Sequence, residues 1–329
     1  MTKTVGIYEK AVEGLGARLD AQGLGIKLVP FTRDGHYLVD GVRTPPEEVS
    51  LDYLWLSPML SAEKFVQDAF SMALRTRAVG VLQTFNAGLD DPFYAKISAK
   101  GAHICNSSAQ SVAIAEYVLA HVMSLVHPIA LQAEQQAKRT WQVTPFREIS
   151  QTNWLILGFG PIGQAIASRV KAFGARTMVV RRTPQTGPTV DVGGTLADLP
   201  ALLPQADVIA MACPLNEQTR GLADQSFFDA VKPGALLVNI ARGAIVDDAA
   251  FMAALDSGRL SQAVLDVFHT EPLPADNPLW GHPKVRVTPH TSFAGSGTRG
   301  RWDQLFLENV ARFARGEALQ NVVDPASFG

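Results

Sequence analysis

Short runs of β-branched and aliphatic residues alternate along this chain with stretches whose apolar residues recur at helical spacing. That alternation is the signature of an α/β fold built on parallel sheets. In the first half, residues 5–8, 26–29, 53–56 and 79–84 predict strands, and 11–22 and 61–72 predict helices. A longer helix is predicted from about 108 to 126, with small apolar residues on one face and Pro128 ending it. The second half is more regular. Strands are predicted at 154–157, 177–180, 208–211, 235–239, 263–266 and 285–288, with helices at 161–173 and about 247–256, and a last helix at about 298–313. The alternation over 153–290 suits one doubly wound domain and the first hundred residues a second, smaller one, onto which the last helix is expected to fold back.

Composition narrows the class of protein. The 329 residues carry 29 Lys+Arg against 31 Asp+Glu, a net charge of −2, with 18% charged and 47% hydrophobic residues. This balance argues against a nucleic-acid partner and against a charged disordered tail, and leaves ample material for a folded core. Two cysteines, Cys105 and Cys213, are too few for a disulfide framework. The sequence shows no His/Cys/Asp cluster with metal spacing, so no metal is expected. Met1 leads directly into a strand-like run without a charged-then-apolar signal segment, and no apolar stretch approaches the ~20 residues of a membrane helix. The expectation is a soluble, cytoplasmic protein without membrane contact.

The first chemical signal is Gly158-Phe159-Gly160-Pro161-Ile162-Gly163, a G-x-G-x-x-G string that follows a buried strand and opens a helix. Such strings are common by chance, and a glycine-rich strand-to-helix turn is the plainer reading. The two correct flanking elements favour a dinucleotide site. Gly158 would permit the tight turn, Gly160 the approach of a pyrophosphate and Gly163 close helix–strand packing. The helix N-terminus would offer free N–H groups and a partial positive charge to the phosphates. An NAD site usually carries an acid about 20 residues further on, for the ribose 2′-hydroxyl. Between Gly163 and Asp191 there is none. The strand ends instead in Arg181-Arg182-Thr183, where two guanidinium groups and a hydroxyl suit a 2′-phosphate. NADP is therefore expected, with NAD as the alternative and a merely solvated basic strand end as the bland reading.

Three further segments place polar residues at or just past strand ends, where open α/β sheets form their ligand crevice. They run from Asn239 through Ala241 and Arg242 to Gly243, from Asp266 through Glu271 to Pro274, and across Thr288-Pro289-His290. Taken singly, Arg242 is as readily a structural arginine, Glu271 a surface acid and His290 a core histidine. Taken together with the glycine loop, in this order and spacing, they resemble the D-isomer-specific 2-hydroxyacid dehydrogenase family over roughly residues 50–325, and its glyoxylate/hydroxypyruvate reductases in particular, with which the arginines at the second strand end are shared.

The resemblance implies two doubly wound parallel-sheet domains. The larger is a Rossmann dinucleotide-binding domain over 105–291, the smaller a substrate-binding domain over 1–104 completed by 292–329, and the active site lies in the cleft between them, whose closure would exclude water. Reducing a 2-oxo acid requires a hydride donor, a proton donor for the nascent alkoxide and a cation for the carboxylate. By family motif the proton donor is His290, a residue type that titrates near neutrality. Glu271 is its partner, since a carboxylate favours the imidazolium and fixes its orientation. Arg242 grips the carboxylate and carbonyl oxygen. The resemblance adds Cys213 and Pro214 as contacts near the nicotinamide, with Ala241 among the cofactor-binding residues, and Asp266 near its carboxamide. It places Asn86, Ala87 and Gly88 in a loop whose backbone N–H groups bind the substrate carboxylate, a stretch that otherwise reads as a plain strand-end turn.

Departures from relatives sharpen the substrate expectation. Ala87 stands where phosphite dehydrogenases carry lysine, and Glu271 where formate dehydrogenases carry glutamine. The other histidines, His269 among them, lack comparable settings, and Trp302 and Arg301 are open between reaching the pocket and simply packing. Family membership also implies a homodimer built through the helix near 108–126. The expected activity is thus NADPH-dependent reduction of a small 2-oxo acid to the D-2-hydroxy acid. Competing with it are an NAD-dependent enzyme and a dinucleotide-sensing regulator without turnover, resembling transcriptional corepressors that share the motifs.

Overall fold

A computed structural model describes residues 2–325; residues 326–329, the end of the segment expected to complete the smaller domain, lie outside it. The chain divides into two compact units, one made of the residues up to Gln110 together with those from Ser296 on, the other of Ser111–Gly295.

In the first unit, strands β1 (Lys3–Tyr8), β2 (Ile26–Phe31), β3 (Tyr37–Val39), β4 (Val42–Thr44), β5 (Ser50–Leu56), β6 (Ala78–Thr84) and β7 (His103–Cys105) form one sheet in the order β4-β3-β2-β1-β5-β6-β7. Five of them, β2-β1-β5-β6-β7, are parallel, a flavodoxin-like order with its switch point between β1 and β5. The parallel sheet expected from the sequence carries one addition. β3 and β4 are an antiparallel hairpin added to the edge beyond β2. Its two-residue turn, Asp40-Gly41, has both φ angles positive, 50° and 78°, the type I′ geometry that matches strand twist. The helix expected over 61–72 is also split, into Met59–Ala62 and Val66–Arg75, with Lys64 between them in the left-handed region. The C-terminal helix Thr298–Arg315 is anchored in this unit, where the Phe306 ring stacks on Trp55 at 4.0 Å.

In the second unit, strands β8 (Asn153–Leu157), β9 (Arg176–Val180), β10 (Val192–Gly194), β11 (Val208–Met211), β12 (Ala235–Asn239), β13 (Leu260–Leu265) and β14 (Val285–Val287) are parallel throughout, in the order β10-β9-β8-β11-β12-β13-β14. This is the Rossmann order extended by one strand, with the switch point between β8 and β11. Strands covered on both faces should read as continuous apolar runs, and β8, β9, β11 and β12 do. The helix expected from about 108 begins at Ser111 and ends at Val126, and Pro128 starts a second helix, Ile129–Ala137, that the sequence reading did not include. Proline ends one helix and is equally suited to open the next, because its missing N–H is unneeded there. No single helix among the described residues is long and apolar enough to cross a membrane.

Candidate active site

The glycine string connects β8 to the helix Pro161–Ala172 and sits at the switch point. Gly158 has φ +99°, and a Cβ there would lie 2.6 Å from the Ala212 carbonyl oxygen and 2.7 Å from Cys213 Cα, so no side chain fits. A Cβ at Gly163 would overlap the Gly158 carbonyl oxygen, whereas one at Gly160 would meet nothing within 4 Å. The outer glycines therefore serve packing, and the middle one faces open space. The helix begins with Pro161 and has no side-chain cap, and its first backbone bond is Gln164 N–H to Gly160. The N–H groups at the uncapped end, together with the helix dipole, suit an anion such as a pyrophosphate. Phe159 and Ile162 are half-buried against the core of this unit, which leaves their backbone for any ligand contact.

The end of β9 is quite different. The Arg181 backbone N–H donates to Gly194, its guanidinium reaches the Gln185 side chain, and Arg182 and Thr183 are exposed. Asp191, the first acid after the glycine loop, is engaged at the opposite end of β9. There it accepts from the Thr177 N–H at 2.8 Å and pairs with Lys171 at 2.5 Å. These two partners, Lys171 foremost, hold its carboxyl below the usual range. No carboxylate of this stretch thus stands where a ribose 2′-hydroxyl would need one, and the basic residues are the groups that meet solvent at that strand end.

The ends of β12, β13 and β14 bring Arg242, Glu271 and His290 into one network. The buried Asn239 brackets Arg242: its Oδ1 accepts from the Ala241 N–H at 3.0 Å and its Nδ2 donates to the Arg242 carbonyl at 2.9 Å. A Cβ at Gly243 would overlap the backbone of Phe268, so glycine at this position allows the Arg242 turn to lie against the loop that carries Glu271. Glu271 Oε1 accepts from the Phe268 N–H at 2.9 Å, and its Oε2 lies 2.8 Å from His290 Nδ1. Burial pushes the Glu271 carboxyl up, but the His290 hydrogen bond, the Phe268 N–H and the charges of His290 and Arg242 outweigh it and leave the group below its ordinary value. Glu271 is thus a carboxylate at neutral pH with one oxygen committed to the imidazole. His290 itself has φ +47°, a conformation that costs a non-glycine residue roughly 1–3 kcal/mol. With Nδ1 turned to Glu271, its Nε2 is the nitrogen left for a reacting group.

Asp266, expected beside a nicotinamide carboxamide, is fully buried and braces the segment around His290. Its Oδ1 accepts from the Thr291 N–H at 2.8 Å and the Thr288 hydroxyl at 2.6 Å, and its Oδ2 accepts from the Ser292 N–H at 2.9 Å. Cys213 and Pro214 follow β11 after Ala212, with the Cys213 backbone against Gly158. Burial pushes the Cys213 thiol up to about 11, which disqualifies it as a nucleophile at neutral pH. Ala241 is buried under the Arg242 turn. His269 bonds the Val246 carbonyl at 2.9 Å, away from the His290 pair. Among the described residues no group of three or more His, Cys, Asp or Glu is placed to hold a metal ion.

The Phe85–Gly88 turn belongs to the first unit, where its carbonyls are tied inward. Phe85 accepts from the Trp302 indole at 3.1 Å, Asn86 from the Ser107 N–H at 2.9 Å and Ala87 from the Asn106 side chain at 2.8 Å. The Asn86 amide donates to Tyr94 at 2.7 Å. With the carbonyls fixed, the Ala87 and Gly88 N–H groups have no protein acceptor among the described residues, the disposition a carboxylate-binding turn needs. Trp302 and Arg301 pin backbone in this unit, Arg301 by donating to the Ala109 carbonyl at 2.7 Å. Asn239, which opens the first strand-end segment in the sequence, was given no role there, and the structure shows it bracing the Arg242 turn. Its signal was a lone amide ending an apolar strand.

Comparison with known proteins bears on the fold and the family. A family model described as "D-isomer specific 2-hydroxyacid dehydrogenase, NAD binding domain" matches residues 119–292. A D-3-phosphoglycerate dehydrogenase of Bacillus subtilis is 30% identical over 267 residues, 80% of this chain and 50% of that protein, so the chain spans about half the length of that relative. A hydroxypyruvate reductase of Blautia hydrogenotrophica is 29% identical over 268 residues, 78% of this chain and 81% of that protein. The structure of a D-isomer specific 2-hydroxyacid dehydrogenase from Xanthobacter autotrophicus Py2, solved with NADPH and MES, superposes with a TM-score of 0.76 at 27% identity and covers 100% of this chain and 99% of that one.

Proposed function

The chain belongs to the D-isomer-specific 2-hydroxyacid dehydrogenase family, and from that premise we propose that it reduces a small 2-oxo acid, of the glyoxylate or hydroxypyruvate type, to the D-2-hydroxy acid with NADPH. The observation that carries the proposal is the His290–Glu271 pair at 2.8 Å, set beside Arg242 at the carboxyl ends of a Rossmann sheet. A bound nicotinamide supplies the hydride. His290 gives the proton from Nε2 to the carbonyl oxygen as it becomes an alcohol. Glu271 holds the ring by Nδ1 and balances the imidazolium charge, and Arg242 orients the substrate through its fork of donors. The grip of Ala87 and Gly88 on a carboxylate is proposed from the inward-tied carbonyls of that turn.

The preference for NADPH rests on the half-buried Arg181 with the exposed Arg182 and Thr183, and on the engagement of Asp191 at the far end of β9. The Xanthobacter structure, with NADPH bound, supports the same reading. Gly158 through Gly163, Cys213, Pro214, Ala241 and Asp266 are proposed to line the rest of the dinucleotide site. Self-association through the helix Ser111–Val126 and the segment after it is supported by Trp141 and Val143, exposed to 101% and 87%, with Ile129, Leu131 and Phe146 exposed nearby.

The test is steady-state oxidation of NADPH, and separately of NADH, with glyoxylate, hydroxypyruvate, pyruvate and a bulkier aromatic 2-oxo acid. Turnover with NADPH well above NADH, and with small acids above the aromatic one, is expected. Tight dinucleotide binding without turnover of any pair would overturn the reading in favour of a regulator.

A further inference from the structure

We propose that Tyr117, on the helix Ser111–Val126, is a positioning residue for His290, acting through a directed hydrogen-bond chain that clamps residues 288–292. The inference rests on the reading of His290 as the proton donor. Its geometry lies wholly within the unit Ser111–Gly295. The Tyr117 hydroxyl is 2.5 Å from Thr288 Oγ1, and Thr288 Oγ1 donates to Asp266 Oδ1 at 2.6 Å.

A threonine hydroxyl has one hydrogen. Since that hydrogen goes to the Asp266 carboxylate, the bond between Tyr117 and Thr288 must be donated by tyrosine. Burial pushes the Tyr117 hydroxyl up to about 12, so it keeps its proton and remains a donor. The chain therefore has one direction, from Tyr117 to Thr288 to Asp266.

The far end of that chain shows its purpose. The Asp266 carboxylate grips the segment on both sides of His290, taking the Thr288 hydroxyl before it and the Thr291 and Ser292 N–H groups after it. The Thr288 N–H is fixed in turn to the Leu265 carbonyl, and the His290 N–H to the Thr288 carbonyl. His290 is the residue with positive φ inside this clamp, and its ring faces Glu271. A disfavoured backbone conformation persists where its surroundings over-determine it, and here the Asp266 carboxylate, the Leu265 carbonyl and Glu271 do so together. Tyr117 adds the bond that orients Thr288 toward that carboxylate. The His121 ring packs on Tyr117 at 4.3 Å, one helical turn along, and limits the movement of the phenol.

The experiment compares Tyr117→Phe with wild type in the full-length chain, by turnover and by amide hydrogen exchange. Loss of one neutral hydrogen bond should lower kcat about 3–10-fold, with KM for the dinucleotide unchanged within twofold. It should also speed exchange at the Thr291 and Ser292 amides by about the same factor. In a His290→Ala background the same substitution should cost no further activity, because the residue it positions is gone. An unchanged kcat together with unchanged exchange overturns the inference. A loss that recurs in full in the His290→Ala background overturns it too, since Tyr117 would then act on general structure. Thr288→Val, which breaks the chain one link further in, should reproduce both effects. If the wild-type chain turns over no 2-oxo acid, the functional reading fails, and the exchange rates at Thr291 and Ser292 still decide whether Tyr117 holds the clamp.

Discussion

Two strand-end regions of the Rossmann unit have opposite construction. At the ends of β12–β14 every polar group of the proposed chemistry is held by at least one neighbour. Glu271 is held by Phe268 and His290, the Arg242 backbone by Asn239, and the segment around His290 by Asp266. At the end of β9, of the residues proposed to read the cofactor, Arg182 and Thr183 are exposed, and the half-buried Arg181 bonds through its side chain to the exposed Gln185 among the contacts described. The contrast follows from the tasks. A proton must leave one nitrogen along one direction, so the donor's geometry has to be set before substrate arrives. A doubly charged phosphate is recognised by Coulomb attraction and by donors that adjust around it, which tolerates mobile side chains.

The largest effect is expected where the geometry is most constrained. His290→Ala should lower kcat by ~10²–10⁴-fold while leaving NADPH affinity, measured by fluorescence titration, within about twofold. It also removes the strongest influence holding the Glu271 carboxyl down. The Glu271 pKa should therefore rise in the variant, which NMR titration of the carboxyl carbon would read. Retention of near-wild-type turnover would break the comparison outright, since the most heavily braced group would have no chemical role.

An intermediate effect is expected at β9. Replacing both arginines, Arg181→Ala with Arg182→Ala, should reduce the NADPH-over-NADH ratio of kcat/KM by about 10–100-fold, as losing a charge-assisted hydrogen bond costs ~1.5–3 kcal/mol. Turnover with NADH should stay within threefold, because neither side chain belongs to the proton-transfer network. If the ratio does not move, the exposed basic strand end is solvated surface and the contrast loses one of its sides.

How far each region could be read from sequence follows the same division. The glycine string was legible because strand, turn and helix are contiguous and Gly163 packs on Gly158 a few residues away, whereas the close approach of Ala212 and Cys213 to Gly158 exists only once β11 lies beside β8. Arg242, Glu271 and His290 were legible only as a set, since each alone fits an ordinary structural role. The Tyr117–Thr288 bond joins positions 171 apart in sequence. Nothing in an apolar helical stretch marks one tyrosine as facing a particular strand end, and the contact exists only once sheet order and helix packing are fixed. The β3–β4 hairpin failed for a different reason. Asp40-Gly41 is a clear turn signal, but strands of three residues are too short for periodicity to register.

Cys213 offers the smallest effect and the finest test of the comparison. It follows β11 at the switch point, beside the backbone of Gly158, close to where the nicotinamide half of a dinucleotide would lie on the proposed reading. Yet it lacks the bracing that marks the catalytic ends. Burial raises its thiol to about 11, so roughly one molecule in ten thousand carries the thiolate at pH 7. A side chain that only fills space there should be replaceable by one of similar size. Cys213→Ala is expected to keep kcat within about threefold and to shift KM for NADPH only slightly, as removing one half-buried sulfur costs packing and little else. Iodoacetamide at pH 7 should alkylate the wild-type protein slowly and without a matching loss of turnover. Rapid inactivation that NADPH protects against would show a reactive thiol inside the site. The division between braced chemical groups and loosely held contacts would then have to be redrawn around Cys213.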